Sequence, residues 1–146
     1  MIIFILRVSI FLLPSKERTM LNALPNSGEF CWNRLATADV NEAKRFYTAL
    51  FGWEAFDVDM GTFIYTTFKL NNKNICGLLQ RTGADNRSYW LSFIAVDDIE
   101  AAVSRAEKLG AKIEIPVTKV PNGKVAVILD TVGAYVGLRE MEQAIK

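Results

Sequence analysis

The sequence predicts an α+β fold built from a duplicated β-α-β-β-β module, with helices on one side of mostly antiparallel strands. Two observations lead there. A shift of 58 residues lays the second half of the chain on the first: Trp32 on Trp90, Asp39 on Asp97, Glu42 on Glu100, Ala43 on Ala101 and Gly52 on Gly110. Within each half a short apolar run precedes one stretch of helical period, and three strand-like runs follow. With 146 residues, 51% of them apolar and 23% charged, the chain is long enough for one domain of two closely packed repeats.

The elements follow in order. Residues 30–37 read as the first strand of a module spanning 29–80. Asp39 stands at a helix N-cap with Glu42 three residues on, the pattern of a capping box. Val40, Ala43, Phe46, Tyr47, Leu50 and Phe51 share one helical face, which is expected to be buried, and Gly52 ends the helix in a left-handed C-cap. Strands are expected over 53–58, 62–70 and 74–80, with turns at Gly61 and Asn71-Asn72. The polar stretch 81–88, with Gly83, is a linker. The second module, 89–142, repeats the pattern: a strand over 90–96, a cap at Asp97 with Glu100, and a buried stripe of Ile99, Ala102, Val103, Ala106 and Leu109. Gly110 stops that helix, and strands over 112–117, 124–130 and 134–140 turn at Pro121-Asn122-Gly123 and Val132-Gly133.

Residues 1–28 are an atypical apolar extension. The run 2–13 is broken only by Arg7 and Ser9, which makes it shorter than the ~20 apolar residues a spanning helix needs. Three readings stand: an over-extended start with Met20 as the true initiator, an accessory strand or dimer contact, and a weak membrane anchor.

Composition excludes several chemistries. The chain has no His, so no Ser-His-Asp or Cys-His site and no HExxH zinc site can be built from it. Seventeen basic residues against 16 acidic ones leave no electrostatic footprint for nucleic acid or an anionic membrane, and neither partner is expected. Cys31 and Cys76 are far apart and form no CxxC, which reads as a cytoplasmic protein with small reduced thiols. Asn86-Arg87-Ser88 matches a glycosylation acceptor, relevant only to a secreted chain.

The stretches Leu35-Ala36-Thr37-Ala38-Asp39, Ala43-Lys44-Arg45-Phe46-Tyr47 and Leu50-Phe51-Gly52-Trp53 recur in kind as 94–102 and Leu109-Gly110-Ala111. Asp130…Gly133-Ala134 closes the chain in a D-P-x-G-like turn with Thr131 in place of Pro. Over about residues 29–141 this resembles the vicinal oxygen chelate superfamily, the family of glyoxalase I, bleomycin-resistance proteins and extradiol dioxygenases. The resemblance implies a cupped mixed sheet with helices on its outer face, enclosing a cavity. Metal-using members place four ligands there, and the inherited positions fall on Trp32, Gly77, Leu91 (or Trp90 by the internal repeat) and Gly137. None is a donor for a divalent ion, so no metal and no cofactor is expected, as in a metal-lacking branch of the family.

Strand alternation then selects the cavity-facing side chains. The first strand offers Trp32, Arg34 and Ala36, the last strand of module one Ile75 and Leu79, and module two Leu91, Phe93, Tyr135 and Arg139. Trp32, Arg34, Leu79, Leu91, Phe93, Tyr135 and Arg139 are the expected ligand-binding set: an apolar, aromatic cup with two cations, suited to a flat small molecule carrying an anionic group. The competing reading packs Trp32, Phe93 and Tyr135 as core and leaves Arg34 and Arg139 as surface or dimer salt-bridge partners. Tyr65 and Tyr47 are candidate hydroxyl donors, with Tyr47 on the apolar helix face. Glu54, Asp57 and Asp59 read as a solvated loop. A metal-independent small-molecule-binding protein, as a homodimer through exposed strand edges, is the leading expectation. The alternatives are a metal-dependent lyase, isomerase or dioxygenase of the same superfamily, capture of a cationic antibiotic, which the neutral charge opposes, and a purely structural module. No catalytic residue is assigned.

Overall fold

The computed structural model describes residues 24–84 and 87–142. The apolar run at 2–13 and the acceptor Asn86 lie outside the described residues. In chain order the elements are β1 (Phe30–Thr37), α1 (Val40–Phe51), β2 (Glu54–Asp59), β3 (Ile64–Leu70), β4 (Lys73–Gln80), β5 (Tyr89–Ala95), α2 (Ile99–Lys108), β6 (Lys112–Val120), β7 (Gly123–Leu129) and β8 (Tyr135–Met141). Every helix and strand expected from the sequence is present.

The strands form one eight-stranded mixed sheet in the order β2-β3-β4-β1-β5-β8-β7-β6. Each module contributes the same half in mirror order. β1 runs parallel to β4, and β5 runs parallel to β8. Antiparallel pairing of β1 with β5 joins the halves within one chain, with Trp32 opposite Phe93 and Arg34 opposite Leu91. Both helices pack on one face. Ala43 of α1 meets Leu35, Phe68, Cys76 and Leu78, while Ile99 and Ala102 of α2 meet Ala126, Ile128 and Leu138. Burial of each large side chain in these clusters contributes about 1.5–3 kcal/mol.

Three local expectations are corrected. The second helix is capped by Asp98, not Asp97: the Asp98 carboxylate accepts from the Ala101 amide at 2.9 Å. The structural repeat is therefore 59 residues at this corner, one more than the sequence alignment, because β5 and the turn after it are placed by strand pairing. Counting back from Asp98 selects Leu91 as the counterpart of Trp32. Trp90 turns the other way, and its indole N–H donates to the Tyr47 hydroxyl at 3.1 Å. Next, the apolar stripe of α1 is wider than its contact with the sheet. Phe46, Leu50 and Phe51 remain 47%, 57% and 51% exposed, and Leu109 at the end of α2 is exposed as well. Finally, the pairing of β3 with β4 slips between Phe68 and Lys69. A bulge of this kind reverses alternation locally, so Ile75 joins the helix-side core and Asn74 takes the opposite face.

Replacing Asp98 by Ala is expected to lower unfolding free energy by about 1 kcal/mol in urea titrations, since it removes the cap. Asp97→Ala is expected to stay within about 0.5 kcal/mol of the parent in the same titration.

Candidate functional site

The face opposite the helices bounds a cavity of about 410 Å³. Its floor comes from β1 and β5 at the joint between the modules. Its walls come from both halves: the β2–β3 hairpin supplies Val58, Met60, Phe63 and Tyr65, and the β6–β7 hairpin supplies Val120, Pro121 and Asn122. Of the expected set, Trp32, Arg34, Leu79, Phe93 and Arg139 line this cavity together. Leu91 lies on the same face but is only 1% exposed, packed with Phe93 and Val127 beneath the lining. Tyr135 lies beside it at the start of β8, exposed and stacked on Tyr89 at 6.3 Å between ring centroids. Ala36 is buried nearby. Asn74, brought in by the bulge, and the two hairpin tips were not foreseen. The apolar Met60 and Phe63 flanking a turn were the available signal, since turns that stay in water seldom carry such residues.

The floor is organised by two rings and two guanidinium groups. Trp32 and Phe93 sit opposite each other on β1 and β5. The guanidinium of Arg34 lies over the Phe93 ring at 5.0 Å, and that of Arg139 over the Trp32 ring at 5.6 Å. Such cation–π contacts contribute about 0.5–2 kcal/mol each. Nε of both arginines is buried and has no hydrogen-bond partner among the described residues. Burial pushes the Arg34 guanidinium below its usual value, against the opposing effects of Tyr65 and Tyr89. The Trp32 indole N–H donates to the Tyr65 hydroxyl oxygen at 3.0 Å. Burial pushes the Tyr65 phenol above its ordinary value, although the Trp32 hydrogen bond and the charges of Arg34 and Arg139 pull it down. Tyr65 therefore keeps its proton at neutral pH and has it free to donate.

The four positions at which the fold family would hold a metal converge on this floor. Gly77 faces Arg34 across β1 and β4, Leu91 faces Arg34 across β1 and β5, and Gly137 faces Phe93 across β5 and β8. The fourth, Trp32, is committed to Tyr65. A Cβ on Gly77 would stand 1.7 Å from the Tyr65 hydroxyl oxygen, and one on Gly137 would stand 2.2 Å from the Phe93 ring. Aromatic groups fill the space that ligating side chains would need, and none of the four offers a donor. These residues do not fit a divalent ion. Asp98, Glu100 and Glu140 approach one another elsewhere, at the N-terminus of α2. Lys124 sits among them, 2.7 Å from Glu100 and 3.8 Å from Glu140, and Glu140 accepts from the Ile99 amide, so that cluster caps a helix.

The remaining candidates are placed away from the chemistry. Tyr47 packs in the aromatic group of Phe51, Trp53 and Phe68. Asp57 is ion-paired with Lys44 and accepts from Thr66 at 2.7 Å, and Asp59 accepts from the Gly61 amide. Burial raises both thiols, that of Cys76 to about 11, so neither is a thiolate at neutral pH.

The sequence profile described as Glyoxalase/Bleomycin resistance protein/Dioxygenase superfamily matches residues 30–138. A putative glyoxylase of Mycobacterium tuberculosis is 34% identical over 113 residues, covering 73% of this chain and 43% of that protein. An anthracycline biosynthesis protein of Streptomyces sp. is 30% identical over 119 residues, covering 80% of this chain and 43% of that protein. The chain thus spans less than half the length of these relatives. Among solved structures, a Streptomyces coelicolor methylmalonyl-CoA epimerase in complex with 2-nitronate-propionyl-CoA superposes with a TM-score of 0.62. It is 15% identical, covers 81% of this chain and 100% of the epimerase, and establishes the fold.

Gly137→Ala is expected to destabilise the protein by about 1–3 kcal/mol, because the added Cβ would overlap the Phe93 ring and force it off its packed position. Chemical denaturation measures this, and Gly137→Ala combined with Phe93→Ala is expected to lose less than the two single changes added together.

Proposed function

We propose a small-molecule-binding role without a metal for this chain, which belongs to the Glyoxalase/Bleomycin resistance protein/Dioxygenase superfamily. The observation that carries the reading is the cavity of about 410 Å³ between the modules, walled by two hairpins and floored by Trp32 and Phe93. That volume and that apolar, aromatic lining with a few directed polar groups are the properties of a ligand pocket. Trp32, Arg34, Leu79, Phe93 and Arg139 are the proposed contact residues, Leu91 packs beneath Phe93, and Tyr135 stands exposed against Tyr89. Relatives named for glyoxylase and anthracycline biosynthesis activities favour a small organic ligand. Metal independence rests on the donor-free set Trp32, Gly77, Leu91 and Gly137 and on the rings above the two glycines.

A second reading, a metal-dependent lyase, isomerase or dioxygenase, is favoured by the relative named as a putative glyoxylase. It would require donors from outside the four inherited positions. We also assign the protein to the cytoplasm and to a homodimer. The exposed Phe46, Leu50 and Phe51 of α1 and the open edges of β2 and β6 favour self-association. Among the described residues no helix is long and apolar enough to cross a membrane.

In a thermal-shift screen of aromatic small molecules, ligands are expected to raise the melting temperature equally with and without EDTA. Elemental analysis of the purified protein is expected to find no stoichiometric Zn, Ni, Fe or Mn. A stoichiometric metal, or shifts abolished by EDTA, would favour the second reading.

A further inference from the structure

We propose that Arg34 and Arg139 form a carboxylate subsite on the cavity floor, so that the ligand is an organic acid with a flat, apolar body. The inference rests on the binding role proposed above and specifies the ligand's chemistry.

Two cations share a small, partly dehydrated space. Nε of each is buried with no hydrogen-bond partner among the described residues. Among the described residues no acidic side chain lines the cavity. Asp57 is paired with Lys44, and Glu100 and Glu140 with Lys124, outside the cavity lining. A buried charge without a counter-charge is costly, and removing that cost is the largest gain a ligand can make at this site. An anion does so, whereas a cation or a neutral amide does not.

The geometry narrows the anion. Each guanidinium carbon lies over a ring, 5.0 Å from the Phe93 centroid for Arg34 and 5.6 Å from the Trp32 centroid for Arg139, and each group still carries N–H donors for an acceptor in the cavity. Planar forks of this kind match the two oxygens of a carboxylate. The Tyr65 hydroxyl, which accepts from Trp32 and also lines the cavity, carries a proton of its own as a further donor. Around these three groups the lining is apolar, with Leu79, Phe63 and Val125. The pocket therefore pairs one charged point with a broad hydrophobic wall, which suits an aromatic acid better than a small inorganic anion.

Isothermal titration of the full chain with 2-naphthoate, 2-naphthamide and inorganic phosphate tests this. The acid is expected to bind at least about tenfold more tightly than the amide, the value of one charge-assisted hydrogen bond. That preference is expected to fall as salt is raised. Arg139→Met is expected to lower the acid-to-amide affinity ratio several-fold by weakening acid binding, with near-UV circular dichroism reporting that the fold is retained. Phosphate is expected not to compete. Equal binding of acid and amide overturns the carboxylate subsite and leaves the cavity reading intact. Binding of neither compound overturns both. Phosphate competing as well as the acid overturns the assignment of an apolar organic acid. If Arg139→Met fails to fold, the acid-to-amide ratio of the unaltered protein and its salt dependence decide the matter.

Discussion

The antiparallel pairing of β1 with β5 is the constraint on which the rest of this molecule depends. Neither module can close a cavity alone, because each is a half-sheet with one face covered by a single helix. Pairing the two first strands turns the halves into one eight-stranded sheet and sets the register Trp32 opposite Phe93. That single cross-strand pair then supplies the platform on which Arg139 and Arg34 rest. A slip of β5 by one residue would turn Phe93 to the helix face while Trp32 stayed, and dismantle the floor.

The same pair also shapes the four positions at which the family resemblance implies metal ligands. Phe93 lies across Gly137, and Tyr65, tied to Trp32, lies across Gly77. Glycine at those two positions reflects close approach rather than turn geometry, since neither has a positive φ. Rings occupy the space beside both glycines, and the same floor seats Arg34 over Phe93 and Arg139 over Trp32. The described lining residues carry the two guanidinium groups and no carboxylate.

The helix faces show how far patterning reaches. Val40, Ala43 and Tyr47 pack on the sheet as periodicity requires, yet Phe46, Leu50 and Phe51 of the same stripe stay half exposed. A helix lying on a twisted sheet touches it along a narrower band than its apolar arc. The misplaced cap is of a similar kind. Asp97 and Asp98 are chemically equal as N-caps, and only the path of β5 decides which carboxylate meets the helix amides.

Much was legible in the sequence because much is local. The duplicated module, the order of its elements, the Asp39 cap, the Gly52 stop and the Asn71-Asn72 turn follow from periodicity and backbone preference within a few residues. Alternation also brought Trp32, Arg34, Leu79, Phe93 and Arg139 to one face, and the absence of donors at Trp32, Gly77, Leu91 and Gly137 was readable directly. What the tertiary structure alone decided are the relations between distant strands. They include the bulge that exchanges Ile75 for Asn74, the burial of Leu91 against the exposure of Tyr135, the hairpin tips that wall the cavity, and the crossed seating of the two arginines. These depend on hydrogen-bond register and packing across strands far apart in the chain, and no local propensity encodes such distances.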